Sequence, residues 1–159
     1  LTTEKAVNLF EKFGVFTRAE LESRAEIQYE TYAKVINIEA KSMIDIASKQ
    51  LIPAVIKYTK ELADTVIAVK SCGVDASVQE EILRKTTTLL GESRNALAKL
   101  KELDAQANKL SRGEKQAKFF NKEVVPAMDA LRKPIDKLEM IVEKDMWPMP
   151  SYGDLIFEV

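Results

Sequence analysis

Apolar side chains along most of this chain recur at steps of three and four, the period of a helix face and not of a strand. The longest row runs Tyr32, Ile36, Ala40, Met43, Ala47, Leu51, Ala54, Tyr58 and Leu62. A second alternates four and three through Ile82, Thr86, Leu89, Ser93, Ala96, Leu100, Leu103, Ala107 and Leu110. A third carries Ala117, Phe120, Val124, Met128, Leu131, Ile135, Leu138 and Val142, and a short opening pattern adds Val7, Phe10 and Phe13. These rows predict helices over about 3–13, 18–70, 78–111 and 114–146, followed by a tail over 147–159. The fold they imply is all-α, in one domain. It is an elongated up-down bundle of three long helices, with a short N-terminal helix and an irregular, docked C-terminal tail.

Start and stop signals support these bounds. Thr2 or Thr3 can cap the first helix, and Gly14 suits a left-handed stop. T-R-A-E at Thr17–Glu20 and S-V-Q-E at Ser77–Glu80 read as capping boxes, and Gly73 and Gly113 as further stops. Pro53 lacks a backbone donor and crowds the Lys49 carbonyl, at about 3 kcal/mol in a helix interior. The row resumes in phase after it, which predicts a kink rather than an end. Pro126 and Pro134 predict kinks or a break in the last helix. Gly91, mid-helix at about 1 kcal/mol against alanine, suggests close packing.

At 1.5 Å per residue the second helix spans about 75 Å, against about 50 Å for each of the next two. Its first 25 Å or so therefore overhangs them. Leu21, Ile27, Tyr29 and Tyr32 lie on that overhang; the short first helix can cover part of it, and a partner surface is expected to dock on the rest. The tail, with Trp147, Tyr152, Leu155 and Phe157, is too apolar to remain in water and is expected to dock as well.

Composition narrows the chemistry. The 159 residues are 46% hydrophobic and 31% charged, with formal net charge −1 and both signs interspersed. Nothing in that balance points to nucleic acid or to an anionic membrane, and no apolar run approaches the roughly 20 residues of a membrane span. No signal-peptide pattern is visible, and the chain begins at Leu1, as a piece of a longer protein or a trimmed one would. Histidine is absent, which removes the commonest general base and transition-metal ligand. Cys72, the one cysteine, sits in SCGVD beside no obvious cation and reads as a spare thiol in a reducing compartment.

Glu22, Glu26 and Glu30 share a helix face and offer a possible row of ligands for a hard cation. Arg18, Arg24 and Lys34 nearby make a solvated, ion-paired face the plainer reading. A free-standing helical adaptor or regulator that binds a cation through that row is the competing functional class. The Glu-x-x-His of di-iron bundles cannot be written without histidine. No phosphate-binding loop, GxSxG or paired-cysteine motif occurs, and LSRGEKQAK at 110–118 looks like a turn between helices. The residues therefore offer no catalytic, cofactor-binding or metal-binding site within this chain.

Two long motifs carry a family resemblance. ESRAEIQYETYAKVINIEAKSMIDIASKQLIPAVIKYTKELAD at 22–64 resembles the C-terminal region of type III glutamine synthetases, the large bacterial form whose extra helical domain follows the catalytic core. WPMPSYGDLIFEV at 147–159 resembles the terminus of that family, and FEKFGVFTRAELESR at 10–24 is similar to the entry of the domain. Between 71 and 116 only a helical pattern is recognisable. The resemblance implies a cytoplasmic double-ring dodecamer that joins glutamate and ammonia using ATP and Mg or Mn. It implies too that the metal, nucleotide and catalytic residues lie in an upstream core, leaving this domain inactive alone. Its partners would be that core and neighbouring subunits.

Overall fold

Helix α1, Glu4–Lys12, is capped by Thr3, whose Oγ1 accepts from the Ala6 amide at 3.4 Å. In this computed structural model, which describes residues 2–150 and 152–157 but not the side chains of Tyr152 and Phe157, every regular element is helical. After α1 come α2 (Arg18–Ile46), a π-helical turn (Ala47–Leu51), α3 (Ile52–Ser71) and α4 (Ser77–Ala107). Then follow α5 (Glu114–Phe119), a second π-turn (Phe120–Val124), α6 (Val125–Glu139), a 3-10 turn (Lys144–Met146) and α7 (Tyr152–Phe157). No strand occurs among the described residues.

The chain packs as two compact units, where the hydrophobic rows predict a single domain. One comprises Leu1–Lys41 with Glu102–Pro126, the other Ser42–Lys101 with Ala127–Val159. The long helices are what make this possible: α4 gives its first 25 or so residues to the second unit and its last turns to the first.

In the first unit α1 is tied to the start of α2. Arg18 donates to both Glu4 carboxylate oxygens, at 3.0 and 2.9 Å, and its amide donates to Glu11 Oε1 at 3.1 Å. The Arg18 hydrogen bonds and charge hold the Glu4 carboxyl below the ordinary glutamate range. Phe10 and Phe16 meet at 5.8 Å between ring centroids, and the Arg24 guanidinium lies 4.5 Å over the Phe16 ring. Thr17 makes the predicted capping box. Its amide and hydroxyl donate to Glu20 Oε2 at 2.8 and 2.9 Å, which lowers the Glu20 carboxyl, and the Glu20 amide returns a 3.3 Å bond. Val7, Leu21, Ala33, Ala40, Leu103, Ala107, Ala117, Phe120 and Val124 are buried here.

The second unit is built around Val55, Leu89, Leu138 and Val142, with Tyr58, Leu90, Ile141, Met146 and Trp147 packed against them. Burial, with the Glu143 charge, pushes the Tyr58 hydroxyl up, so it stays protonated at neutral pH. Thr86 and Ser93 are fully buried on α4 and donate to the Ile82 and Leu89 carbonyls four residues back, at 2.8 Å each. The second predicted capping box does not form. Ser77 bonds to Asp75 instead, while Glu80 pairs with Lys70 and Arg84. A loop acid two residues upstream reaches the Ser77 amide and hydroxyl, and a lysine across the turn takes the glutamate.

The prolines do not end their helices. Before Pro53 and before Pro126 the helix widens into a five-residue π-turn, in which the Ile52 amide reaches Ala47 and the Val125 amide reaches Phe120, five residues back. That slip leaves the Ser48 and Asn121 carbonyls without their usual α-helical donors, and the next residue in each case is the proline. One defect absorbs the other. Pro134 lies inside α6 with its ring buried on the Leu131–Leu138 face, so no break occurs there either. The last rod stops at Glu139, seven residues before the predicted end, and the tail contains the short helix α7 where irregular chain was predicted. Helix α4 likewise stops at Ala107, which leaves Leu110 in the following turn and partly exposed.

Two glycines differ in kind. Gly113 has φ 102° and ψ −151°, a conformation essentially restricted to glycine, whereas an added Cβ at Gly91 would meet nothing within 4 Å. Close packing at Gly91, suggested by its position, is therefore absent among the described residues. Gly91→Ala should raise stability by about 0.5–1 kcal/mol, and Gly113→Ala should lower it by about 1–3 kcal/mol. Urea unfolding followed by circular dichroism reads both, and equal shifts of one sign would contradict these two backbone assignments.

Candidate docking surfaces

The residues expected to dock do not share one environment. Leu21 is only 1% exposed, inside the first unit's core, and offers no surface to a partner. Helix α1 is tied to the start of α2 through the Arg18–Glu4 pair. Tyr29 and Tyr32 are half-buried. The Tyr32 hydroxyl accepts from Asn121 Nδ2 at 2.9 Å. Ile27 is 63% exposed.

In the second unit Trp147 is half-buried against the Val55 cluster, and its buried Nε1 has no hydrogen-bond partner among the described residues. Leu155, on α7, is 68% exposed. α7 is anchored from Lys144, whose Nζ donates to Asp154 Oδ1 at 2.6 Å. Tyr152 and Phe157, the other tail residues expected to dock, have side chains outside the described residues.

Sequence reasoning missed several exposed apolar side chains: Leu9, Phe13 and Val15 in the first unit, and Met140 and Met149 in the second. Phe13 was assigned to the inward row, yet it is the C-cap of α1 and 69% exposed. The signal was Gly14. At φ 64° it closes a left-handed stop in which the Val15 amide bonds to Phe10 and the Gly14 amide to Glu11, both at 3.0 Å, and this takes Phe13 off the helical face. Gly73 closes α3 in the same way, with Val74 bonding to Val69.

The acidic row does not gather. Glu22 and Glu26 are exposed, and Glu30 pairs with Lys34 at 3.3 Å. Among the described residues no three carboxylate, cysteine or histidine side chains come together as a metal site requires, and no helix is long and apolar enough to cross a membrane. Cys72 is free and exposed, in the turn after α3.

Comparison with known proteins supplies what the geometry does not. Residues 1–70 match the family of glutamine synthetase C-terminal domains. A type-3 glutamine synthetase from Dictyostelium discoideum is 32% identical over 167 residues, covering 99% of this chain and 22% of that protein. A glutamine synthetase from Butyrivibrio fibrisolvens is 29% identical over 99% of the chain and 23% of its own length. One from Bacteroides fragilis is 24% identical over 90% and 20%. The chain thus spans about a fifth of the length of these relatives. Along nearly its whole length it is similar to the C-terminal domain of type III glutamine synthetases.

Proposed function

We propose that this chain is a non-catalytic C-terminal helical domain of a type III glutamine synthetase, a cytoplasmic enzyme that makes glutamine from glutamate, ammonia and ATP. Its role is structural, through contacts with the upstream catalytic core and with neighbouring subunits of a dodecamer. ATP and the Mg or Mn ions belong to that core. The observation that carries this reading is the asymmetry of coverage: the match takes in 99% of this chain but 22% of the type-3 relative. In this reading the three long helical runs alternate as an up-down bundle with bends at the prolines. The contact surfaces are the exposed apolar side chains of each unit, Ile27 with Phe13 in one and Leu155 with Ile156 in the other, joined by Tyr152 and Phe157 of the tail.

Deleting this domain from the full-length enzyme tests the role. Glutamine formation and particle mass, measured with and without it, should show loss of the dodecamer or of activity. An unchanged dodecamer with unchanged kinetics would sink the proposal.

A further inference from the structure

The first unit holds a cleft of about 210 Å³ between α2 and the turn that links α4 to α5. Its volume is roughly seven waters at about 30 Å³ each and falls below the roughly 300 Å³ of drug-sized pockets, so its scale is that of a small metabolite. Buried Ala33 and Phe120 give it an apolar floor.

Its polar lining is of two kinds. Glu30 and Lys34 neutralise each other at 3.3 Å, whereas Arg112 has no ion-pair or hydrogen-bond partner among the described residues, which leaves the cleft one net positive charge. Three carboxamides complete it. Asn108 donates through Nδ2 to Asn37 Oδ1 at 3.2 Å, to the Asp104 carbonyl at 2.7 Å and to the Asp104 carboxylate, which is not part of the lining, at 3.2 Å. Gln116 donates through Nε2 to the Ala107 carbonyl at 3.1 Å. Those bonds fix the amides and leave the Asn37 nitrogen as a donor and the Asn108 and Gln116 oxygens as acceptors. A guanidinium fork and an amide donor suit a carboxylate, while two amide oxygens suit an N–H group.

We propose that this cleft is a binding site for a short aliphatic carboxylate bearing an amide or amine, with the carboxylate on Arg112. The site stands on this chain's own residues, whatever the parent enzyme is.

Succinamate, succinamide and butyrate, of nearly one size, form the test. Each is titrated into the 159-residue chain while the side-chain amide resonances of Asn37, Asn108 and Gln116 are followed by NMR. Succinamate should shift them saturably, with a dissociation constant of about 1 mM or tighter. Succinamide should bind about tenfold more weakly through loss of the charge-assisted bond, and butyrate should also bind more weakly for want of its N–H. Arg112→Gln, an exposed turn position, should reduce succinamate to the succinamide level. Glu30→Gln should tighten succinamate by removing a like charge. Equal binding of succinamate and succinamide, no saturable shift at all, or an Arg112→Gln chain that binds unchanged would each overturn the proposal.

Discussion

Phe120→Ala is expected to lower stability by about 3–5 kcal/mol, a fall in Tm of roughly 6–20 °C for a chain of this size. Phe120 is the largest fully buried side chain among the described residues, at 1% exposure, and it opens the second π-turn. Removing it leaves a cavity against helices held on both sides, where little collapse is available. Phe13→Ala, also a phenylalanine truncation but at a site 69% exposed, is the control and should change stability by less than about 0.5 kcal/mol. Thermal and urea unfolding read the pair. Similar losses for both would mean that the inward and outward faces of the first unit are wrongly assigned.

Trp147→Ala carries the second large effect, about 2–4 kcal/mol, reduced from the full burial value because the ring is half-exposed. Trp147 covers the end of the Val55, Leu89, Leu138 and Val142 cluster, so its loss opens that core to water. Its buried Nε1 has no acceptor among the described residues, and a donor left without one costs about 1–3 kcal/mol. Trp147→Phe removes the orphan while keeping a ring, and should therefore stay within about 1 kcal/mol of the parent. Unfolding of the chain by itself separates the two roles open to the tail aromatics. A marked loss for alanine with little for phenylalanine fits a ring that seals its own core. No loss for either would mean that Trp147 serves only a contact with another surface.

Much of the helical layout was legible because burial leaves a period in the sequence. Every residue of the predicted row from Tyr32 to Leu62 is buried or half-buried, as is the row from Ala117 to Val142. The Thr17–Glu20 box and the glycine stops at 14 and 73 were legible too, since each is a local bond or a local φ. What escaped were choices made between segments. Whether Glu80 caps its own helix or pairs with Lys70 depends on where the preceding helix ends, and periodicity carries no such information. The split into two units escaped for the same reason, because a helix that serves two cores shows one uninterrupted row. Leu21 reads from sequence as a docking residue, yet it is buried in the first unit, because an apolar position on a helix shows the same period whether its own unit or a partner covers it. The carboxylate cleft draws its groups from positions some 70 residues apart and leaves no spacing to find.

The coupling of each π-turn to its proline has an evolutionary consequence. A π-turn is in effect one extra residue carried in a helix, and a proline directly downstream hides the vacant bond it creates. Deleting the extra residue alone would drive the proline ring into a regular turn. Gaps in this stretch of an alignment and loss of the neighbouring proline should accordingly be inherited together, at 47–53 and again at 120–126.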